Sequence, residues 1–362
     1  MKIATIVGAR PQFIKAAMVS RELASRQGLE EVLIHTGQHH DQNMSEVFFK
    51  QLRIPNPKHH LGISGGTHGR MTGRQLEAIE RVLISEGPDV VLVYGDTNST
   101  LAGALAAAKL CIPLAHVEAG LRSFNRRMPE EVNRIVTDQV SNLLLAPSQT
   151  AMRHLAAEGL ADSRAAFVGD VMYDAALMLA TEARSESNIL ARLGLESANF
   201  RLATVHRQEN TDDPKRLETI FRAFRALAED KRLVLPIHPR TRRAIDGLRG
   251  RTSMTAGIDI IEPVGVYDIV SLMRGASLIL TDSGGVQKEG YFHGTPVVVL
   301  RDETEWTELL DIGWAKLAPP SSAESITVIA RAMEEAPGST SERPYGEGDA
   351  ASKIADRVLK LP

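Results

Sequence analysis

Short apolar runs rich in β-branched residues recur along the chain at 3–7, 31–35, 90–94, 113–117, 143–146, 166–168, 201–205, 233–237, 258–261, 277–280 and 296–300, and each reads as a buried strand. Between them lie longer stretches with apolar residues at three- and four-residue spacing, among them 13–25, 71–86, 100–110, 129–140, 215–228 and 285–292, which read as helices. Continuous apolar strands separated by helices predict parallel sheets covered on both faces. The strands fall into two series that meet near residue 170, and 362 residues exceed what one ordinary core holds. The expected architecture is therefore α/β: two Rossmann-like, doubly wound domains facing a cleft, spanning 1–169 and 170–348. A last amphipathic stretch at about 349–362 reads as a helix that packs back on the first domain.

Composition narrows the partners. Hydrophobic residues make up 43% of the chain and charged residues 24%, and the net charge of −3 carries no basic excess, so a nucleic-acid partner is not expected. No run of 18 apolar residues occurs, so no membrane span is expected. The first apolar run is broken by Gly8, Arg10 and Pro11 and does not read as a signal peptide. The single cysteine, Cys111, rules out an internal disulfide and fits a reducing compartment, which places the chain in the cytoplasm. It precedes Ile112-Pro113 in an apolar stretch and reads as a small core residue. His39-His40 and Asp41 are joined by no further ligand-spaced cluster, so no metal is expected there.

The polar residues that follow the strands are less ordinary. Open α/β sheets bind ligands beyond the carboxyl ends of their strands. Those ends carry Gly8-Ala9-Arg10, Gly95-Asp96, Glu118-Ala119-Gly120, His206-Arg207-Gln208-Glu209-Asn210, His238, Thr281-Asp282-Ser283-Gly284-Gly285 and Arg301-Asp302. Ionisable groups at so many ends in both series point to one charged ligand.

Each motif has a plainer reading beside the functional one. Ser283-Gly284-Gly285 opens a helix whose free N–H groups suit an anion, with Glu289 placed to accept from sugar hydroxyls; an ordinary helix-start turn accounts for it equally. Arg10 and Lys15 bracket another helix start and suit a diphosphate, or form a solvated basic turn. Asp96 is a base or the cap of the helix after it, and Glu130 is an acid or complements its own helix dipole. Glu118, directly after Ala115-His116-Val117, reads as partly buried and in need of a charge partner, which Arg122, Arg126, Arg127 or Arg134 can supply. His206 closes an apolar strand and suits proton transfer near neutral pH, or is a hydrogen-bonded structural histidine.

Taken together, seven ordered segments resemble the non-hydrolysing UDP-N-acetylglucosamine 2-epimerases: Gly8-Ala9-Arg10-Pro11-Gln12-Phe13-Ile14-Lys15, Tyr94-Gly95-Asp96-Thr97, His116-Val117-Glu118-Ala119-Gly120-Leu121-Arg122, Pro129-Glu130-Glu131-Val132-Asn133-Arg134, His206-Arg207-Gln208-Glu209-Asn210, Thr281-Asp282-Ser283-Gly284-Gly285-Val286-Gln287-Lys288-Glu289 and Leu300-Arg301-Asp302. The resemblance implies a GT-B-like fold, a homodimer, no metal or redox cofactor, and a role in making precursors of cell-surface polysaccharide. It implies catalytic roles for Asp96, Glu118, Glu130 and His206, and UDP or substrate contacts at Arg10, Lys15, Arg134, Ser283, Gly284, Gly285, Glu289 and Arg301. The reaction it implies turns a UDP-linked 2-acetamido sugar, UDP-GlcNAc, into its manno isomer through elimination of UDP to a 2-acetamidoglucal and re-addition.

The chain departs from the family's usual pattern at Gln12, where glutamate is usual, at Trp306-Thr307, where Arg-Pro is usual, and in a shorter, more basic loop containing Arg126 and Arg127. These variants resemble the branch acting on UDP-2,3-diacetamido-2,3-dideoxyglucuronate, whose carboxylate suits an added arginine. Gln38-His39 matches part of an activating UDP-GlcNAc site of some members, with Asp41 where a longer side chain is usual. A GT-B glycosyltransferase, a hydrolysing epimerase and a nucleotide-sugar sensor stand as rival functions.

Overall fold

The apolar runs form strands buried on both faces. In the computed structural model, which describes residues 1–38, 56–161, 163–247, 254–338 and 342–361 and, for Arg10, the backbone alone, the chain divides into two compact units, Met1–Ala175 with Pro344–Pro362, and Ala176–Arg343.

The first unit carries β1 (Lys2–Val7), α1 (Arg10–Ala24), β2 (Glu30–His35), β3 (His59–His60), α2 (His68–Glu86), β4 (Val90–Tyr94), α3 (Asn98–Lys109), β5 (Leu114–Val117), α4 (Pro129–Val140), β6 (Leu143–Ala146), α5 (Gln149–Ala157) and β7 (Ala165–Phe167). Among the described residues its strands form one parallel sheet in the order β3-β2-β1-β4-β5-β6-β7. Ala4, Ile6, Val91 and Val93 from the centre of the sheet pack with Ile79 and Leu83 of α2 and the alanines of α3. The side chain of Thr97 accepts from the N–H of Thr100, so Thr97, not Asp96, caps α3.

After α6 (Val171–Glu186), the second unit continues with α7 (Ile189–Leu193), β8 (Phe200–Thr204), α8 (Gln208–Thr211), α9 (Pro214–Ala228), β9 (Arg232–Pro236), α10 (Pro239–Asp246), β10 (Asp259–Ile261), α11 (Val266–Gly275), β11 (Leu278–Thr281), α12 (Gly284–His293), β12 (Val297–Val299), α13 (Thr307–Asp311), β13 (Ala315–Leu317) and α14 (Ala323–Glu335). Its described strands pair in parallel in the order β10-β9-β8-β11-β12-β13. Helix α9 shows how sequence dictates the element. Asp213 accepts from the N–H groups of Lys215 and Arg216, Pro214 takes the first position, and Leu217, Ile220, Phe221, Phe224 and Leu227 make one buried stripe.

The terminal helix α15 (Ala350–Val358) belongs to the first unit. It buries Ala351, Ile354, Ala355 and Val358, and Arg26 at the end of α1 pairs with Asp356 and donates to the Ser352 carbonyl. Asp174 of α6 accepts from the N–H groups of Ala350 and Ala351 and so caps it.

Two short strands went unanticipated, because two histidines at β3 and three residues at β13 make no readable apolar run. Cys111 corrects the sequence reading. It is exposed and sits in the left-handed turn that ends α3, at φ +55°, instead of entering the core. Among the described residues no helix is long and apolar enough to cross a membrane.

Candidate active site

In each sheet the strand order reverses direction once among the described strands, between β1 and β4 in the first unit and between β8 and β11 in the second. In doubly wound sheets ligands bind at the carboxyl ends beside such a point, because the connecting helices leave to opposite faces. The candidate residues gather at these two places.

In the first unit a cavity of about 190 Å³ is lined by Ala9, Gln12, Lys15, Asp96, Glu130 and Asn133, among others. This is below the roughly 300–1,000 Å³ of a full small-molecule pocket and suits one part of a ligand. Lys15 of α1 forms an ion pair with Glu118, both side chains being nearly buried. Glu118 holds a left-handed backbone at φ +75°, which an L residue adopts at a cost and which clusters at functional sites. Gly95 stands at φ +63°, and a Cβ there would lie 3.1 Å from Glu118 Oε2 and 3.8 Å from Lys15 Nζ, so the turn requires glycine. Arg134 of α4 pairs with Asp96 and, through Nε and Nη2, with Glu131 at 3.1 and 3.0 Å.

The electrostatics follow from this crowding. Burial comes first in shifting Asp96 and raises its carboxyl above the usual range; the charge of Glu118 adds to this, while Arg134 and Lys15 oppose it. A carboxylate held up in this way is better placed to take a proton near neutral pH. For Lys15, burial is the largest influence and acts to lower the ammonium, but Glu118, with the charges of Asp170 and Asp96, carries the group above its usual value.

Several contributors were given no role by the sequence. Gln12 is buried; its Oε1 accepts from the N–H groups of Gly8 and Ala9 at 2.8 and 3.0 Å, and its Nε2 donates to the Tyr94 carbonyl at 2.7 Å and to Thr97 and Thr100. It ties the loop after β1 to the loop after β4. Asn133 donates to the Asp96 carbonyl at 2.8 Å. Glu131, 1% exposed, accepts from Ser123 and Phe124 as well as Arg134 and anchors the loop before α4. Glu118 also corrects an expectation: its partner is Lys15 and not one of the four nearby arginines, and Arg122 is engaged instead with Asp138 and Glu158.

In the second unit, Asp282 is fully buried and accepts from the N–H groups of His206 and Arg207 and from Asn210 Nδ2, at 3.0–3.1 Å. It shapes the loop that presents His206, whose ring is 37% exposed and lies 5.4 Å from that of His238. Burial, then His206, lowers the imidazole of His238. Helix α12 begins after Ser283, whose hydroxyl does not cap it, so its first N–H groups are open to an anion. Trp306 Nε1 donates to the Gly284 carbonyl at 2.8 Å, and Lys288 Nζ lies 4.0 Å from the Trp306 ring centroid. Arg301 is held by Glu209 at 3.2 Å and Glu305 at 2.9 Å. Glu289 is partly buried on α12, and Gly285 is exposed at its start.

Thus Lys15, Asp96, Glu118, Glu130 and Arg134 come together in the first unit, and His206, Ser283, Gly284, Gly285, Glu289 and Arg301 lie on the strand-end loops and α12 of the second. The side chain of Arg10, and His39, His40 and Asp41, lie outside the described residues. Among the described residues no group of three or more His, Cys, Asp or Glu side chains is arranged to hold a metal ion.

The family model described as UDP-N-acetylglucosamine 2-epimerase matches residues 21–359. A UDP-2,3-diacetamido-2,3-dideoxy-D-glucuronate 2-epimerase of Pseudomonas aeruginosa is 50% identical over 364 residues, covering all of both chains. A UDP-N-acetylglucosamine 2-epimerase of Escherichia coli is 33% identical over 380 residues, covering 99% of this chain and 98% of its own. The crystal structure of the Methanocaldococcus jannaschii UDP-GlcNAc 2-epimerase in complex with UDP-GlcNAc and UDP superposes with a TM-score of 0.81 at 40% identity, covering 99% of each chain.

Proposed function

Because the chain belongs to the UDP-N-acetylglucosamine 2-epimerase family, we propose that it inverts C2 of a UDP-linked 2-acetamido sugar without net hydrolysis. The observation that carries this reading is the gathering of Asp96, Glu118 and Glu130 with Lys15 and Arg134 at one strand-end crevice. The C2 proton of such a sugar is not acidic, since no carbonyl is attached at C2. A base removes it as the C1–O bond breaks and its electron pair leaves with the diphosphate, giving a 2-acetamidoglucal and UDP. Re-addition of the diphosphate oxygen to C1, with a proton delivered to the opposite face of C2, completes inversion. Two faces need two proton-transfer groups, and we assign these to Asp96 and Glu130, with Glu118 holding Lys15 in place. The reading assigns UDP to the open start of α12 and Arg301, where negative charge develops as UDP leaves, with His206 beside it.

For the test, the protein is incubated with UDP-GlcNAc in D₂O and followed by proton NMR. Loss of the C2 proton signal with appearance of the manno isomer is the expected result. UDP-sugar unchanged at C2 while UDP still binds rejects the reading in favour of a transferase or sensor, and release of free sugar with UDP identifies a hydrolysing epimerase.

A specific observation favours the diacetamido uronate as the preferred sugar. The relative named for that substrate is 50% identical, against 40% for the Methanocaldococcus jannaschii UDP-GlcNAc 2-epimerase. Arg126 and Arg127 are both exposed on the loop before α4, and among the described residues neither has an ion-pair partner. A parallel tube with the uronate decides this. Higher kcat/KM for the uronate, lost selectively in Arg126→Ala or Arg127→Ala, supports it, and equal values reject it.

A further inference from the structure

Beneath the crevice of the first unit lies a buried cluster that the proposed chemistry does not use. His116 and Asp138 are fully buried, and the Arg122 side chain is 1% exposed. His116 Nδ1 lies 2.7 Å from Asp138 Oδ1, and its Nε2 lies 2.8 Å from the Gly95 carbonyl oxygen. Both neighbours accept, so the ring satisfies them only with a hydrogen on each nitrogen. Asp138 Oδ2 accepts from the Gly120 N–H at 3.1 Å and pairs with Arg122 at 2.7 Å. Arg122 in turn makes a two-pronged contact with Glu158, both distances being 2.7 Å. An anion flanked by two cations offsets the cost of burying each charge.

What matters is which backbone segments the cluster grips. Gly95 precedes Asp96, and Gly120 lies two residues after Glu118; both glycines and Glu118 itself have positive φ. Asp138 also shares α4 with Glu130 and Arg134, at successive four-residue steps along one face. One carboxylate therefore reaches the turn bearing Asp96 through His116, the turn bearing Glu118 directly, and Glu130 through its own helix.

We propose that Asp138 and His116 form a positioning dyad that sets the relative placement of the three carboxylates Asp96, Glu118 and Glu130. Neither residue lines the cavity, so each acts through the backbone it holds. The dyad rests on the epimerase reading for its catalytic consequence and on the structure alone for its existence.

Two measurements test it. In the unliganded protein, ¹⁵N-labelled at histidine, His116 is expected to show hydrogens on both ring nitrogens with Nδ1–H far downfield, and Asp138→Asn is expected to abolish that signal. A bare ring nitrogen on His116 overturns the dyad, whether or not any variant folds. The second measurement compares His116→Gln with His116→Leu, which are similar in volume but differ in the donor offered to the Gly95 carbonyl. For C2-proton exchange well below the melting midpoint, kcat is expected to fall tenfold to a hundredfold in His116→Leu and Asp138→Asn, with KM within about threefold, because misplacement of a reacting group by about 1 Å costs on that order. His116→Gln is expected to recover a large part of the loss. Equal kcat for the Gln and Leu variants, or wild-type kcat in Asp138→Asn, overturns the proposal. If the unaltered protein exchanges no C2 proton with either UDP-sugar, the epimerase reading fails, and the nitrogen signals still decide whether the dyad exists.

Discussion

Replacing Arg134 with methionine probes stability and chemistry together. The guanidinium, 11% exposed, bridges Glu131, which is 1% exposed, and Asp96, which is 35% exposed. Removing one partner of a buried pair costs roughly 3–5 kcal/mol. Glu131 retains its bonds from Ser123 N–H, Ser123 Oγ and Phe124 N–H, and Asp96 retains contact with solvent, so the lower end, about 3 kcal/mol, applies. For a domain of roughly 150–250 residues that lowers the melting midpoint of the first unit by about 6–12 °C. The effect on the chemistry has a definite sign. Arg134 is the strongest influence holding the Asp96 carboxyl down against burial and Glu118, so its removal moves that carboxyl further up. A base acts only when deprotonated; the acid limb of kcat/KM for C2-proton exchange therefore shifts to higher pH, and activity lost near neutrality returns on the alkaline side. Calorimetry and a pH series of exchange rates read the two effects. A midpoint lowered by less than about 2 °C refutes the energetic reasoning, and an acid limb that stays in place or moves down refutes the electrostatic reasoning.

Three further outcomes follow from single side chains. Tyr94 is fully buried and, among the described residues, its hydroxyl has no hydrogen-bond partner, so Tyr94→Phe is expected to raise stability by about 1 kcal/mol in urea unfolding while exchange activity is unchanged, since Gln12 and Thr100 use only its carbonyl. Burial raises the Asp174 carboxyl from 3.8 to about 6, against the N–H groups of Ala351 and Ala350. A folded-state value above the unfolded one adds stability that is complete below the unfolded value and lost as pH rises through about 6, so wild type gains stability between about pH 6 and 4, and Asp174→Asn is expected to flatten that window in urea midpoints taken across it. Trp306→Phe keeps a ring beside Lys288 but removes the donor to the Gly284 carbonyl, and is expected to weaken UDP binding about fivefold by calorimetric titration, the equivalent of one net hydrogen bond of about 1 kcal/mol.

Periodicity made the scaffold legible. The strands at 90–94 and 143–146 and the helix at 129–140 have the bounds their patterns predict, because an unbroken apolar run and an amphipathic repeat each leave a clear signal. The gathering of polar residues at strand ends was legible too, since parallel sheets bring all their carboxyl ends to one side. Pairing was not. Lys15 and Glu118 are 103 positions apart, and local spacing gave the nearer arginines the better claim. Nothing in the helical pattern at 129–140 marks Asp138 as fully buried. Gln12 becomes intelligible only in three dimensions. Its amide meets two N–H donors on one side and a carbonyl on the other, and an ionised carboxylate offers no hydrogen to that carbonyl.

The return of α15 to the first unit has a consequence for how the molecule is made. Synthesis runs from the amino end at roughly 5–20 residues per second, so the 168 residues of the second unit take about ten to thirty seconds to appear after residue 175. Throughout that interval the flank of α1 that meets α15 stands bare, with Arg26 lacking Asp356. The second unit, continuous from 176 to 343, has all its strands in hand before the first can close. The half that begins the chain is thus the last to be finished, and during translation the face of α1 that α15 later covers stays exposed.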